Sequence, residues 1–451
     1  MMLDQISLMP ADNLNGLDPE VVRLGRELHV PLVRLGGNFT SSLHFEDGIG
    51  AKDKRTSMLN AAWGIPEYNT FGTDEFLHFC QLIGAEPQFA LNLGSGTPEE
   101  AANWVKYVNA HWGDHSGGLV WELGNELWGN WNMGYPPVSQ IAERTAQFSA
   151  AVRKVDSKAK LIANGADIDA FRDWNAHQLA GKTGVFDYLS THFVVDTDKT
   201  VLPNSPPEFQ TLSSLALPIG VELGLREMAQ QVQQSDNKNV PFAFTEWLFE
   251  SQDGSDAPPN YLNLGGALDA AGFLNMLMRV SDIVPIADMT GTIDLAGVLK
   301  RRGRVFVTPS YWALRMFSNE HPAWLMKVES DGPVYSVENG VTRVPDIKEA
   351  PWLEVVAAET ADREKLILFC LNRNLKQDLQ AEVALDDFSP EQLVHVQTLS
   401  SVDINDENSE DNPHFVEPKM STIPGGKKFS CTFPHASVMV MELVRADSTG
   451  R

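Results

Sequence analysis

The chain is poor in cysteine, with three in 451 residues, and has no apolar run long enough to cross a membrane. Cys80, Cys370 and Cys431 are scattered, odd in number and without metal-ligand spacing. That excludes a disulfide framework and suits a reducing compartment. A membrane helix needs about 18–20 consecutive apolar residues, so no membrane partner is expected. The start, MMLDQISLMPADN, has neither a basic opening nor a full apolar segment. It therefore reads as no secretory leader, which favours a cytoplasmic location but leaves localisation open, since an incomplete N-terminus would place any leader ahead of this start. Basic residues are also scarce: 35 Lys and Arg stand against 60 Asp and Glu, a net charge of -25. Such a surface repels phosphate backbones, so no nucleic-acid partner is expected, and the acidic excess reads as a solubility device. Walker A, HExxH, GxSxG and paired CxxC motifs are all missing, as is any repeat at solenoid or propeller period. The HWGDH stretch at His111–His115 precedes a strand and reads as a loop, not a metal site.

Hydrophobic residues, at 43%, are ample for a large core. The first two-thirds alternates short apolar strands with amphipathic helical stretches. The strands read as 31–35, 87–92, 118–123, 159–163, 186–191, 241–245 and 284–289. Helical patterns fall at 19–28, 74–83, 98–109, 140–155, 222–234 and 267–280. This alternation predicts a parallel sheet with helices outside, a (β/α)8 TIM barrel more than a doubly wound sheet, although periodicity alone does not show closure. From about Ala323 the pattern changes to strands and turns, at 354–357, 365–372, 380–383, 393–399 and 438–443. That predicts a β-sandwich, giving an α/β barrel over 1–322 and a C-terminal sandwich over 323–451. Asp403–Asn412, DINDENSEDN, reads as a solvated loop. Cys80 reads as a buried core residue and Cys370 as part of a strand.

Four strand ends carry chemistry. In Trp121-Glu122-Leu123-Gly124-Asn125-Glu126-Leu127-Trp128 an apolar strand runs into Gly-Asn-Glu. The carboxyl ends of parallel barrel strands face the active site. A carboxyl there, in a partly apolar pocket, is expected to have a raised pKa and to serve as a general acid. Trp121, Trp128 and Trp131 can offer flat faces to sugar rings. The competing reading is a helix-capping Glu126 with the tryptophans as core. Phe242-Ala243-Phe244-Thr245-Glu246-Trp247 repeats the pattern. Counting the intervening strands places Glu126 and Glu246 three strands apart, facing across the mouth of a closed barrel. Opposed carboxylates are the minimal apparatus for glycosidic cleavage, one as acid/base and one as nucleophile or base. In Val33-Arg34-Leu35-Gly36-Gly37-Asn38 the glycines permit a sharp turn, and Arg34 and Asn38 can bond hydroxyls or hold a carboxylate. An ordinary βα turn reads equally well. His192 ends another strand, where a structural and a catalytic role stand level.

At these residues the chain resembles glycoside hydrolase family 51, the α-L-arabinofuranosidases. The likeness runs from about Pro10 to the end through GGNF, EDGIG, KDKR, FGTDEFLHFC, GAEPQFALNLGSG, WELGNELWGNW and FAFTEW. The resemblance implies a barrel followed by a sandwich, and a double-displacement hydrolysis that retains configuration. It implies Glu126 as acid/base, Glu246 as nucleophile, and Asn125 on the sugar's 2-hydroxyl. Arg34, Asn38 and Trp63 match positions lining the glycone subsite; His192 and Trp247 are further candidate substrate-binding residues. No metal or cofactor is required. The expected partner is an oligo- or polysaccharide, and the resemblance hints at homo-oligomers. The chain departs from the family pattern in having seven readable barrel strands, the first family strand and its glutamate being unmatched. Either the N-terminus is incomplete or another segment closes the barrel. The chain also has Val194, Glu250 and Gly291 where the family usually has Tyr, Trp and Gln. An altered pocket leaves a related β-glycanase or xylosidase, or a non-catalytic carbohydrate-binding relative, as alternatives.

Overall fold

Seven short strands pair side by side into a single sheet in chain order: β1 (Leu32–Leu35), β2 (Glu86–Leu91), β3 (Val120–Leu123), β4 (Lys160–Ala163), β5 (Tyr188–Val195), β6 (Phe242–Phe249) and β7 (Ile286–Met289). The structure is a computed structural model that describes residues 9–113, 117–195, 206–249, 260–338 and 342–446. The pairings from β1 to β5 are parallel. Helices α1 (Pro19–Glu27), α2 (Thr73–Ile83), α3 (Pro98–Trp112), α4 (Ile141–Val155) and α5 (Phe171–Leu179) fill the connections between β1 and β5 or lead into β1. Their starts follow from local chemistry. Asp18 and Thr97 cap α1 and α3 by accepting backbone N–H groups, with Pro19 and Pro98 in the first turns, where a missing N–H costs nothing.

Contacts divide the chain into two compact units. The first comprises Met1–His192, Arg226–Thr245 and Ile283–Asp288. In it the sheet curls upon itself: Gln88 on β2 donates to Asp288 on β7 at 3.0 Å, across four intervening strands. This is a barrel of seven strands among the described residues, with β1 and β7 at its edges. Outside it, Phe89 stacks on Trp121 at 5.2 Å and meets Phe76 and Trp104 edge-on, joining β2 and β3 to α2 and α3. Trp121 is thus core, not a sugar platform. Inside, Val120, Ile162 and Ala243 form an apolar layer with Tyr188 and Ile286 against it. His111 and Trp112 close α3, so the HWGDH stretch begins as helix and not as loop; its last two residues, Asp114 and His115, lie outside the described residues.

The second unit comprises Phe193–Leu225, Glu246–Asp282 and Met289–Arg451. It contains most of α6 (Pro207–Gln233), with α7 (Leu264–Arg279) and α8 (Pro309–Ser318). Six antiparallel strands form one sheet: β8 (Pro322–Met326), β9 (Leu353–Thr360), β10 (Lys365–Asn372), β12 (Pro390–Ser400), β13 (Lys419–Pro424) and β15 (Ser437–Arg445), in the order β8-β9-β10-β15-β12-β13. A ribbon of β11 (Leu379–Ala384) and β14 (Lys428–Phe433) accompanies it. Alternate residues Leu366, Leu368 and Cys370 face a core shared with Phe429, Cys431 and Phe433 of the ribbon. The opposite face of β10 is also covered, with Phe369 against Phe317 of α8 at 4.6 Å. All three cysteines are buried and free.

Two further expectations need correcting. The helix read at 222–234 is the end of α6, which starts at Pro207 and carries Pro218 inside. Its first half is buried on several sides, so it shows no amphipathic period. Asp403–Asn412 is not simply a solvated loop. The carbonyls of Asp406 and Ile404 accept the Leu264 and Gly265 N–H groups at the start of α7, and buried Asn408 bonds the Val307 and Val416 carbonyls.

Candidate active site

Barrel side chains repeat every two residues, so the layer above Val120, Ala243 and Ile286 consists of Glu122, Thr245 and Asp288. It is polar where the layer below is apolar. Arg34 reaches into it from β1. Its Nε and Nη2 lie 2.8 and 2.6 Å from Glu122 Oε2, and Nη2 also donates to Asn125 Oδ1 at 2.6 Å. The glycine after β1 makes this possible: a Cβ on Gly36 would sit 2.7 Å from the Arg34 guanidinium carbon. Asn125 in turn donates to Asn38 Oδ1 at 2.9 Å, so the two strand-end motifs form one network.

Glu126 stands in a tight turn after β3. Gly124 has φ +91° and Glu126 itself φ +46°, the left-handed region that a non-glycine residue seldom occupies. Neighbours hold this geometry. The Leu127 N–H donates to Asn164 Oδ1 at 2.9 Å, and Asn132 Nδ2 donates to the Glu126 carbonyl at 2.8 Å. Strain held by surrounding structure in this way concentrates at functional sites. The carboxylate is bonded on both oxygens: Oε1 lies 3.0 Å from His192 Nδ1, and Oε2 accepts the Trp131 indole N–H at 2.9 Å. Burial pushes its pKa up, but the His192 bond and charge, Trp131 and Arg34 outweigh burial and leave it lowered. The raised value expected from an apolar pocket is therefore not found, because the pocket is lined by donors.

His192, near the end of β5, is buried, with Nε2 2.8 Å from Thr245 Oγ1. Thr245 donates to Glu122 Oε1 at 3.0 Å. Glu122 is fully buried. Burial raises its pKa, yet Arg34 and His192 more than offset this and hold it ionised. Asp288 is pushed up to about 7, chiefly by burial, with Glu122 adding to the rise and Arg34 opposing it. Glu246 follows Thr245 directly on β6 and is half-buried.

The predicted residues thus fall unevenly. Arg34, Asn38, Asn125, Glu126 and His192 are joined by hydrogen bonds or share partners. Trp63 is exposed, its ring 5.5 Å from Phe39. Trp247 is buried and stacks on Phe273 at 5.6 Å. Trp131, exposed, reaches Glu126, whereas Trp128 packs edge-on against it at 4.8 Å. Gly291 occupies a turn with φ +66°, Val194 lies on β5, and Glu250 is outside the described residues. Sequence reasoning passed over Glu122, Thr245 and Asp288. Each is a polar residue two positions after an apolar one, and the strand pairing is what shows that the apolar one faces the barrel interior.

Residues 14–202 match the α-L-arabinofuranosidase 1 domain model, and residues 245–437 match the α-L-arabinofuranosidase C-terminal domain model. A probable α-L-arabinofuranosidase C of Aspergillus clavatus is 30% identical over 375 residues, 77% of this chain and 74% of the relative. An intracellular exo-α-(1→5)-L-arabinofuranosidase of Halalkalibacterium halodurans is 26% identical, covering 84% and 80%. Among solved structures, the α-L-arabinofuranosidase of Thermotoga maritima in complex with arabinose shares 28% identity with a TM-score of 0.81, covering 95% of this chain and 90% of that one. The thermostable family 51 enzyme of Thermotoga petrophila RKU-1 also shares 28%, with a TM-score of 0.85 and coverage of 96% and 92%. The chain belongs to the α-L-arabinofuranosidases of glycoside hydrolase family 51 and is a glycoside hydrolase.

Proposed function

We propose that the protein is a retaining, exo-acting α-L-arabinofuranosidase that removes terminal arabinofuranosyl residues from arabinoxylan- or arabinan-type glycans. The observation that carries this reading is the grip on Glu126: a half-buried carboxylate with one oxygen on His192 and the other on Trp131, in a turn held at positive φ. Such a group can give a proton to a leaving oxygen and later take one from water. Glu246, one residue beyond Thr245, attacks the anomeric carbon as the leaving C–O bond breaks. Water, deprotonated by Glu126, then releases the sugar with retained configuration. In this reading Asn125 bonds the 2-hydroxyl, Arg34 and Asn38 orient that amide, and Trp63 borders the glycone. His192 exchanges a proton with Glu126, and buried Trp247 backs the end of β6. The barrel over 1–322 carries the chemistry and the region 323–451 forms the sandwich.

Val194 and Gly291 favour one second reading, a β-glycanase or xylosidase whose glycone pocket has lost contacts. A panel of nitrophenyl glycosides separates the two. The proposal expects α-L-arabinofuranoside to give the highest kcat/KM; a higher value on β-xyloside or β-glucoside would overturn it. Glu246→Gln is expected to lower kcat by roughly a million-fold, the scale seen when a covalent nucleophile is removed.

A further inference from the structure

Glu122 and Thr245 touch no substrate in the mechanism above, yet both are buried and both bear on Glu126 through His192. The direction of each hydrogen bond follows from what the groups can donate. An ionised carboxylate only accepts. Glu122 faces Arg34 with Oε2, so its Oε1 takes the single hydroxyl proton of Thr245. With that proton committed, Thr245 Oγ1 can only accept from His192, and His192 Nε2 must carry a hydrogen. Nδ1 is then the ring atom left to share a proton with Glu126 Oε1, 3.0 Å away.

We infer that Glu122 and Thr245 are positioning residues that fix a proton on His192 Nε2 and so reserve Nδ1 to hold the Glu126 proton between its acid and base steps. The inference rests on the proposed role of Glu126. The proton balance is closed. A neutral carboxyl beside a neutral ring and a carboxylate beside an imidazolium hold the same proton, and transfer between them leaves the charge of the pair unchanged. When Glu126 protonates the leaving oxygen the pair loses that proton, and the attacking water returns one.

Charged groups bear on His192 from several elements: Glu122 and Glu126 from β3 and its turn and Asp288 from β7, with Arg34 of β1 acting on those same three acids and Glu246 following Thr245 on β6. Arg34 is already bound to Glu122. Asp288, pushed up to about 7, is in good part neutral at pH 7. The Glu122 charge, relayed through the Thr245 hydroxyl, therefore favours the protonated state of the His192–Glu126 pair. Two groups this close titrate as a pair, so the effect belongs to the basic limb of the rate profile.

The test is the pH dependence of kcat/KM for wild type, Thr245→Val and Thr245→Ser, measured on an aryl α-L-arabinofuranoside with a poor leaving group. Valine keeps the shape of threonine and removes the hydroxyl. Thr245→Val is expected to move the basic limb down by about one pH unit, the scale of a lost neighbouring bond to a charged pair, with kcat falling more than KM changes. Thr245→Ser is expected to restore the wild-type limb. Nitrogen-15 NMR of the wild-type histidines gives a readout that needs no variant to fold, and a His192 protonated at Nε2 is expected. A wild-type ring protonated only at Nδ1, or a folded Thr245→Val enzyme with an unmoved basic limb, overturns the inference. Glu126→Gln separates this failure from that of the underlying reading. Full activity in that variant overturns both, whereas lost activity beside an unmoved Thr245→Val limb overturns the relay alone.

Discussion

Arg34 and Glu122, 88 residues apart in the chain, meet as a buried ion pair at 2.6 Å, joining the first and third strands of the barrel. Removing one partner of a buried pair leaves the other charge without compensation, typically at a cost of about 3–5 kcal/mol. Arg34→Met is therefore expected to lower unfolding stability by about that amount in urea titrations near neutral pH. A change within about 0.5 kcal/mol would show that the pair carries little.

Asp288 makes stability fall as pH rises. Its folded pKa, about 7, lies above the ordinary aspartate value because burial disfavours the charge. Its contribution is full below about pH 4 and is lost as pH rises through about 7. Asp288→Asn keeps an acceptor for Gln88 and cannot ionise. It is expected to be more stable than wild type at pH 8, by a few kcal/mol at most, and to flatten the stability profile between about pH 4 and 7. Parallel profiles for the two proteins would contradict this.

The indole N–H of Trp131 holds Glu126 Oε2. A hydrogen bond to a charged group contributes about 1.5–3 kcal/mol. Trp131→Phe keeps a ring and removes the donor, so kcat/KM on poor-leaving-group substrates is expected to fall roughly 10- to 100-fold. Because the donor favours the ionised form, the pKa of Glu126 should rise in the variant. Unchanged kinetics would mean that the contact does not act on the acid.

Gly124 permits the turn that presents Glu126. Its φ is +91°, and a Cβ there would lie 2.5 Å from a Leu127 methyl carbon. Gly124→Ala is expected to destabilise the protein by about 1–3 kcal/mol and to depress kcat more than KM, since it displaces the acid. Calorimetry with steady-state kinetics checks both parts.

The barrel was readable because its strands are short apolar runs separated by amphipathic helices, and all seven lie where those runs fall. Two helices, one in each unit, escaped notice. Phe171–Leu179 is short and polar and buries Asn175 and Gln178, and Pro309–Ser318 follows a strand without a clear apolar period. At the site, the Gly-Asn-Glu and Gly-Gly-Asn turns announced themselves because glycine beside polar residues at a strand end is chemically unusual. Glu122 and Thr245 did not, since within a strand a lone polar residue reads as an outward face. Only the pairing of strands shows that these two point inward, and only their hydrogen bonds connect them to His192. The lowered pKa of Glu126 was likewise beyond reach, because it depends on donors 5 and 66 residues away.

The central claim, that Glu126 is the acid/base and Glu246 the nucleophile, is tested most directly by azide rescue of each glutamate variant with an activated aryl α-L-arabinofuranoside. In Glu246→Gly, azide takes the place of the missing carboxylate and attacks once, so the glycosyl azide should have inverted, β, configuration. In Glu126→Ala, the covalent intermediate still forms and azide opens it, so the product should be the retained, α, azide. The account predicts these two opposite anomers by NMR. The reverse pattern, or full activity in either variant without azide, would contradict it.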